Sequence, residues 1–286
     1  MTHALLPDRG VVAILGEDAE SFLQNLVTQS VDGLAPGGAR FAALLTPQGK
    51  IITDGFIIQV EGGFVLDCPK ALVTDLVHKL TLYKLRAKVT ISDLTAEREI
   101  IVGWDEAPPK ANDFDVIFVD PRIANMGWRM ITKIGSALSL KDQASPDVYH
   151  AHRIAIGLPE GGKDFAYGET FPHEADMDQL GGIDFKKGCY VGQEVVSRMQ
   201  HRGLARTRAV PVRFADGIAP PDGTIAEAQG KMIGTIGSNA TGGHAIAILR
   251  LDRVEEALAA GAALTAGGLT FSLETRPWIG FSVPRT

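Results

Sequence analysis

Cysteine is almost absent from this sequence: only Cys68 and Cys189 occur in 286 residues. The two stand far apart, and neither belongs to a Cys-x-x-Cys pair of the kind that holds zinc or an iron–sulfur cluster. The sequence therefore predicts no resident metal site and no disulfide framework.

Long apolar runs and a surplus of basic residues are also lacking. No stretch approaches the 18 or so uninterrupted apolar residues of a membrane-spanning helix, and Met1 to Gly10 contain no basic start followed by an apolar run. The formal net charge is -6, which argues against nucleic acid as a general partner, because phosphate binding needs many basic groups. We expect a soluble cytoplasmic protein without a membrane partner.

What is present is enough apolar sequence for a sizeable core, at 45% hydrophobic residues. The length exceeds that of one usual domain, so two or three are expected. Strand and helix patterns alternate in the first half, and the Pro47 to Lys50 segment predicts a tight reversal between two strands. From Ala209 onward, short apolar runs between Gly-rich turns predict a small β-barrel or sandwich.

The segment from Gly157 to Gly188 is rich in Gly and Pro and has little regular periodicity, which in a compact protein is typical of a functional loop. Within it, Glu174 and Asp176 lie in an otherwise apolar neighbourhood. A carboxylate there could accept the two N–H donors on the pyrimidine edge of a pterin. The alternative is that Glu174 caps a turn or pairs with an arginine.

Cys189 stands shortly before a segment with helical character. Unpaired amides at a helix start, together with Lys186 and Lys187, would stabilise a thiolate. The alternative is a small buried apolar side chain, which is how a lone cysteine is often used. Alkylation of the thiol as a function of pH separates the two.

The stretch from Lys186 to Arg208 contains six basic residues and one acid, Glu194. Arginines such as Arg198 and Arg206 can grip carboxylates through two parallel hydrogen bonds, which predicts a local anion site. A solvated basic helix face explains the same pattern.

The sequence Lys187-Gly188-Cys189-Tyr190-Val191-Gly192-Gln193-Glu194 resembles the signature of the YgfZ family of folate-binding proteins, whose mitochondrial relatives assist iron–sulfur cluster assembly. Further matching segments lie at 16–28, 45–50 and 157–161. The family itself is similar to the glycine-cleavage T-protein, an aminomethyltransferase.

The resemblance implies the three-lobed α+β fold of the T-protein, with tetrahydrofolate bound in its centre and a C-terminal small β-barrel. It divides the chain into a folate-binding domain (1–45 plus 146–205), an α+β domain (46–145) and the barrel (206–286). Glu174 matches the glutamate that holds the pterin. The other predicted folate-binding residues come from the signature and the basic stretch: Lys187, Tyr190, Gln193, Glu194, Arg198 and Arg206.

The sequence departs from the T-protein at its catalytic acids, because only Asp54, after Thr53, remains of an acidic pair. Cys189, by contrast, belongs to the YgfZ-type signature and has no part in the T-protein mechanism. The pattern therefore favours a folate-binding accessory protein for cluster assembly or repair, with the assembly machinery or its client proteins as partners and Cys189 in redox chemistry or transient ligand exchange.

Two alternatives stay open. The first is a folate-dependent aminomethyltransferase in which Asp54 is the catalytic acid, so whether the protein is an enzyme is not decided by the sequence. The second is a factor for folate-dependent tRNA modification, in which the basic stretch docks RNA.

Overall fold

We describe the protein from a computed structural model, in which residues 2–112, 115–137, 142–203 and 205–285 are described. The chain forms two compact units, the first made of residues 1–149 and 180–193 and the second of residues 150–179 and 194–286. These units do not have the bounds of the three domains expected from the sequence, and that division stays a prediction.

The first unit contains a five-stranded sheet with strand order β3-β4-β5-β2-β6, whose neighbouring pairs are all antiparallel. The strands are β2 (Arg9–Leu15), β3 (Ala39–Leu45), β4 (Ile51–Val60), β5 (Gly63–Pro69) and β6 (Thr90–Asp93). The predicted reversal between β3 and β4 is confirmed: the Gly49 amide donates to the Thr46 carbonyl at 2.8 Å. Gly49 has a φ of +80° there, which suits glycine.

Two helices cover this sheet, α1 (Ala19–Gln24) and α2 (Val73–Lys84). In α2, Val73, Leu76 and Leu80 recur at helical spacing and are buried, so one apolar face packs into the core with β2 and β5. The α1 helix is shorter than the predicted segment from Asp18 to Thr28.

A second, four-stranded sheet of the same unit has the order β1-β7-β9-β8. Its strands are β1 (Thr2–Leu5), β7 (Arg98–Trp104), β8 (Val116–Val119) and β9 (Trp128–Lys133). The helix α3 (Pro146–Ala155) then follows, close to the predicted helix that starts with Ser145-Pro146.

The second unit contains a closed six-stranded barrel of order β10-β13-β12-β11-β14-β15, as the sequence predicted for the C-terminal part. Its strands are β10 (Thr207–Phe214), β11 (Ile225–Ala228), β12 (Lys231–Ala240), β13 (His244–Arg250), β14 (Leu264–Ala266) and β15 (Leu269–Leu273). Two further helices are α4 (Gln193–Arg202), most of which belongs to this unit, and α5 (Leu251–Ala259). Gly234 is required in β12, because a Cβ there would lie 2.0 Å from the Ile248 carbonyl oxygen.

Among the described residues, no helix is both long and apolar enough to cross a membrane.

Candidate functional site

The signature segment lies at the end of the stretch 180–193 and is anchored to the loop after α1 in the first unit. Thr28 donates its hydroxyl to the Gly182 carbonyl at 2.6 Å, and the Asp184 amide donates to the Thr28 carbonyl at 3.0 Å. The Asp184 carboxylate in turn accepts the amides of Lys186 and Lys187 at 2.8 and 3.2 Å. These bonds fix where the signature begins.

Lys187 ties the signature to the same loop through its side chain. Its Nζ donates to the carbonyls of Val27 and Gln29 at 2.7 and 3.0 Å and lies 5.4 Å from the centre of the Tyr190 ring. Burial lowers the pKa of Lys187 to about 8, against the opposing effect of Asp184. Because the ammonium group bonds to backbone carbonyls, the structure gives Lys187 a role in holding the loop.

Tyr190 and Gly192 are the other fixed points of the signature. Tyr190 is buried, and burial raises the pKa of its phenol to about 12. Gly192 has a φ of +81°, and a Cβ there would lie 2.6 Å from the Thr46 carbonyl oxygen, at the β3–β4 turn. The glycine at this place in the motif is therefore a consequence of backbone packing.

The two cysteines occupy opposite environments within the first unit. Cys68 is buried in the core, and burial raises the pKa of its thiol to about 12, so it behaves as an apolar side chain. Cys189 is exposed, four positions before α4 begins at Gln193. The alternative of a buried Cys189 is wrong; its activation as a thiolate stays a prediction.

Asp54 lies in β4 and is buried at 9% exposure. It lines a small, mostly apolar cavity of about 30 Å³, large enough for one or two waters. Asp67 on β5 lines the same cavity and was not singled out from the sequence, although an acid within an apolar strand is a recognisable signal. Asp67 accepts charge-assisted hydrogen bonds from Arg9 and Arg129 at 2.7 and 2.8 Å.

In the second unit, Glu174 lies in a turn that runs from Phe171 to Gln179. Its Oε2 accepts the Phe171 amide at 2.8 Å, and its own amide donates to the Phe171 carbonyl at 2.9 Å. The turn-capping role weighed from the sequence is therefore present. The side chain is only half-buried, and its Oε1 has no hydrogen-bond partner among the residues that the structure describes.

Residues that follow Glu174 in the same turn belong to a buried polar network that the sequence did not reveal. Arg208, in β10, donates to both carboxylate oxygens of Asp178, at 2.6 and 3.0 Å, and to the His173 carbonyl at 2.7 Å. Asp176 is fully buried, and its Oδ1 lies 3.5 Å from the Arg208 guanidinium. Arg208, which the sequence grouped with a basic stretch, is thus committed to internal acids.

Of the remaining predicted residues, Gln193 is half-buried, whereas Glu194, Arg198 and Arg206 are exposed. Glu194 and Arg198 form an ion pair one turn apart on α4, and Arg206 lies 3.8 Å from Asp252. Such exposed pairs contribute under about 1 kcal/mol each. The solvated helix face expected as the alternative describes Glu194 and Arg198 on α4, whereas Arg206 lies beyond the end of that helix. The binding role of all three stays a prediction.

The predicted site residues fall on both units. Those in the first unit are Asp54, Lys187, Cys189, Tyr190 and Gln193; those in the second are Glu174, Glu194, Arg198 and Arg206. The structure brings Lys187 and Tyr190 into contact, and likewise Glu194 and Arg198.

The residues around Glu174 fit a folate. The half-buried Glu174 carboxylate has one oxygen to which no described residue donates, and such an oxygen can accept N–H groups of a pterin, while the Phe171 amide holds the other oxygen in place.

Comparison with known proteins matches the chain to one family model, to curated relatives and to a solved structure. Residues 206–281 match the family described as CAF17, C-terminal beta-barrel domain. The human iron-sulfur cluster assembly factor IBA57, mitochondrial, is 31% identical over 256 residues, covering 80% of this chain and 72% of that protein. The IBA57 homolog of Mycosarcoma maydis is 33% identical over 241 residues; the chain spans only 59% of its length.

Among solved structures, the glycine cleavage system aminomethyltransferase T from Bartonella henselae matches with a TM-score of 0.81 at 15% identity, covering 99% of this chain and 87% of that one. The expected aminomethyltransferase-like fold, with its C-terminal barrel, is confirmed.

Proposed function

Because the chain belongs to the family of the IBA57 iron–sulfur cluster assembly factors, we propose that it is a tetrahydrofolate-binding accessory protein that supports the assembly or repair of such clusters. The relatives are named as assembly factors; folate as a ligand is the finer part of the proposal. The curated relatives are also named as mitochondrial proteins, and the cytoplasmic location expected here stays a prediction.

The observation that carries the folate proposal is the open oxygen of Glu174. Oε1 is an acceptor without a donor among the described residues, and its half-buried position strengthens any hydrogen bond it makes. The pterin ring supplies two N–H groups on one edge, so a single glutamate gives both affinity and orientation. When bound, tetrahydrofolate would supply one-carbon or reducing chemistry.

The observation that supports the cluster proposal is the exposed thiol of Cys189 on a loop held firmly by its neighbours. The side-chain bonds of Lys187 and the packing of Gly192 restrain the backbone on either side of it. A thiolate on a restrained, accessible loop can replace another thiolate on a cluster iron and be replaced in turn. The cluster is then cargo that Cys189 contacts in transit.

Calorimetric titration of the full chain with tetrahydrofolate tests the ligand. We expect Glu174→Ala to weaken binding by about 1 to 3 kcal/mol, the scale of a hydrogen bond to a charged group, and Cys189→Ala to leave it nearly unchanged. Glu169→Ala is the matched control, since it removes an exposed carboxylate close by in the chain. If Glu174→Ala binds like the wild type, the folate site has been misplaced.

The activity of iron–sulfur enzymes in a strain that lacks this protein tests the cellular role. We expect reduced activity, restored by the wild-type gene and not by Cys189→Ala. Normal cluster enzymes in the deletion strain would overturn the assembly role.

An aminomethyltransferase is a second candidate, favoured by the fold and by the buried Asp54 carboxylate. It requires formation of methylene-tetrahydrofolate from an aminomethyl-lipoyl carrier. The absence of that product in an assay with folate and carrier would exclude this reaction. The tRNA-modification alternative requires RNA binding that falls steeply with salt, because exposed basic residues such as Arg198 and Arg206 would carry it.

A further inference from the structure

Asp176 is a buried carboxyl group without a full set of partners. Its side chain is entirely buried, and its Oδ2 has no hydrogen-bond partner among the described residues. Its backbone has a φ of +55°, a left-handed conformation that aspartate tolerates better than most residues. Buried polar atoms are nearly always satisfied, so an orphan oxygen of this kind needs a reason.

The surroundings of Asp176 contain more acid than base. Arg208 is the cation that faces it, and the guanidinium is shared with Asp178, which binds it much more closely, at 2.6 Å against 3.5 Å. The remaining polar neighbour is the backbone amide of Ala209. Because Asp178 and Asp176 share one cation, Arg208 stabilises the Asp176 carboxyl group less than that of Asp178. Burial raises the pKa of Asp176 well above the usual value.

A purely structural role is a poor account of this arrangement. A buried carboxyl with one unsatisfied oxygen destabilises the fold, whereas an apolar group would cost less at the same place. The reason for an acceptor at this position is therefore to be sought in what its turn carries.

That turn carries Glu174. The Asp176 amide donates to the His173 carbonyl at 3.1 Å, and the same carbonyl accepts Nη1 of Arg208 at 2.7 Å. The His173 carbonyl belongs to the peptide unit that also contains the Glu174 amide. One carbonyl thus joins the Asp176 backbone, Arg208 and the backbone from which the Glu174 side chain extends. The Asp176 carboxyl group acts on this carbonyl through Arg208, whose Nη1 lies 3.5 Å from Oδ1 and also donates to the carbonyl.

We propose that Asp176 is a positioning residue which, with Arg208, fixes the peptide at His173 and so sets the direction in which the Glu174 carboxylate meets its ligand. The proposal rests on the proposed function, since the ligand is tetrahydrofolate. Asp176 itself does not touch the folate. What it provides is an acceptor on a left-handed turn, and asparagine supplies the same acceptor and tolerates the same backbone.

The test measures tetrahydrofolate binding by the full chain with and without Glu174. We expect Asp176→Ala to raise Kd about 10-fold in the wild type and less than about 2-fold in a Glu174→Ala background, because its effect passes through Glu174. Asp176→Asn should remain within about 2-fold of the wild type. General damage to the fold would weaken binding in both backgrounds and would overturn the proposal, as would an unchanged Kd in Asp176→Ala.

A second perturbation keeps the test open if Asp176→Ala does not fold. Arg208→Lys retains the charge but loses the planar fork that reaches the His173 carbonyl and Asp178 together, and the same dependence on Glu174 is expected of it. A loss of affinity that is equal with and without Glu174 would again count against the proposal.

Amide hydrogen exchange over residues 171–179 separates this inference from the proposed function. We expect exchange at least about 5-fold faster in Asp176→Ala than in the wild type, and a normal rate in Asp176→Asn. If the wild type does not bind tetrahydrofolate but this exchange pattern is found, the turn is positioned as argued and the folate assignment is rejected. Equal exchange in all three proteins rejects the positioning role itself.

Discussion

Two buried ionic networks, one in each compact unit, are each built around an aspartate and have opposite ratios of acid to base. In the first unit, Asp67 is flanked by two arginines, Arg9 and Arg129. In the second, two aspartates share Arg208. Asp67 and Asp176 are both fully buried. Each oxygen of Asp67 accepts a hydrogen bond, whereas one oxygen of Asp176 has no partner among the described residues.

This difference indicates that the Asp67 network stabilises the fold, whereas the Asp176 network supports the turn that carries Glu174. Arg129 in the first network also bonds to the Tyr149 hydroxyl at 3.2 Å and stacks on Phe56 at 4.4 Å. Both oxygens of Asp67 therefore have a donor, and the network links β5 of one sheet to β9 of the other. In the second network two carboxyl groups share one cation, and both aspartates lie in the turn that carries Glu174, a candidate ligand-binding residue. Deviations from full satisfaction are expected where function constrains the sequence.

The largest expected effect lies in the Asp67 network. Asp67→Ala leaves two arginines buried without a counter-charge, and we expect a loss of about 3 to 5 kcal/mol in the free energy of unfolding. Urea denaturation followed by circular dichroism measures it. The low exposure of Arg9 and Arg129, at 9% and 3% of the side chain, is the reason that water cannot compensate.

Glu17→Ala is the matched control for Asp67→Ala. Glu17 also pairs with a cation, Lys88, at 2.8 Å, but both side chains are more than two-thirds exposed, so the change should stay within about 0.5 kcal/mol. Similar losses in the two variants would remove the distinction between a buried and a solvated pair.

The second prediction concerns the Asp176 network and has the opposite sign. Asp176→Asn removes a carboxyl group whose pKa burial raises well above the usual value, against the effect of Arg208. At pH 7 we expect the variant to be more stable than the wild type, on the scale of about 1 to 3 kcal/mol by which an unsatisfied buried polar group destabilises a fold. Thermal and urea unfolding from pH 4 to pH 8 measure the difference.

The pH dependence of that difference is set by linkage. The wild type gains its full stability from Asp176 below the pKa of the unfolded chain, about 4, and loses it as the pH rises toward the pKa of the folded protein. The advantage of asparagine should therefore be absent near pH 4 and grow with pH. Asp178→Asn, which breaks the close pair with Arg208, should instead destabilise; an Asp176→Asn variant less stable at every pH would contradict the account.

The fold could be predicted well where a local pattern determines it. Gly49 in a Pro-containing turn predicted the β3–β4 hairpin, and Gly-rich turns between short apolar runs predicted the barrel. The resemblance of the signature predicted the aminomethyltransferase-like fold. The end of α1 was less predictable, because the apolar residues Leu26 and Val27 continue to face the core after the helix has ended.

The site could be predicted only in part, because sequence shows residue types and not which charges meet. Glu174 and Cys189 stood out by their context. Arg208 looked like one more solvated cation, and Asp67 like a strand residue, since their partners lie 30 and 62 positions away. Lys187 appeared to be a charge beside a thiol, whereas its Nζ holds a loop 160 positions earlier in the chain.

The smallest expected effect concerns Leu85, which has a positive φ, as Asp176 does. Leu85 follows α2 with φ +46° and ψ -104°, and the Ala87 amide donates to the Lys84 carbonyl at 2.8 Å. Leu85 therefore occupies the first central position of a type II′ turn, a position that strongly favours glycine. Its side chain is 88% exposed, so little packing offsets the strain. We expect Leu85→Gly to stabilise the protein by about 0.5 to 1 kcal/mol, which is the relieved strain less the extra entropy of glycine in the unfolded chain.

Leu82→Gly is the matched control, since it also removes an exposed leucine side chain but lies within α2. It should destabilise the protein by about 1 kcal/mol. A loss of stability in both variants would show that the Leu85 turn is not strained.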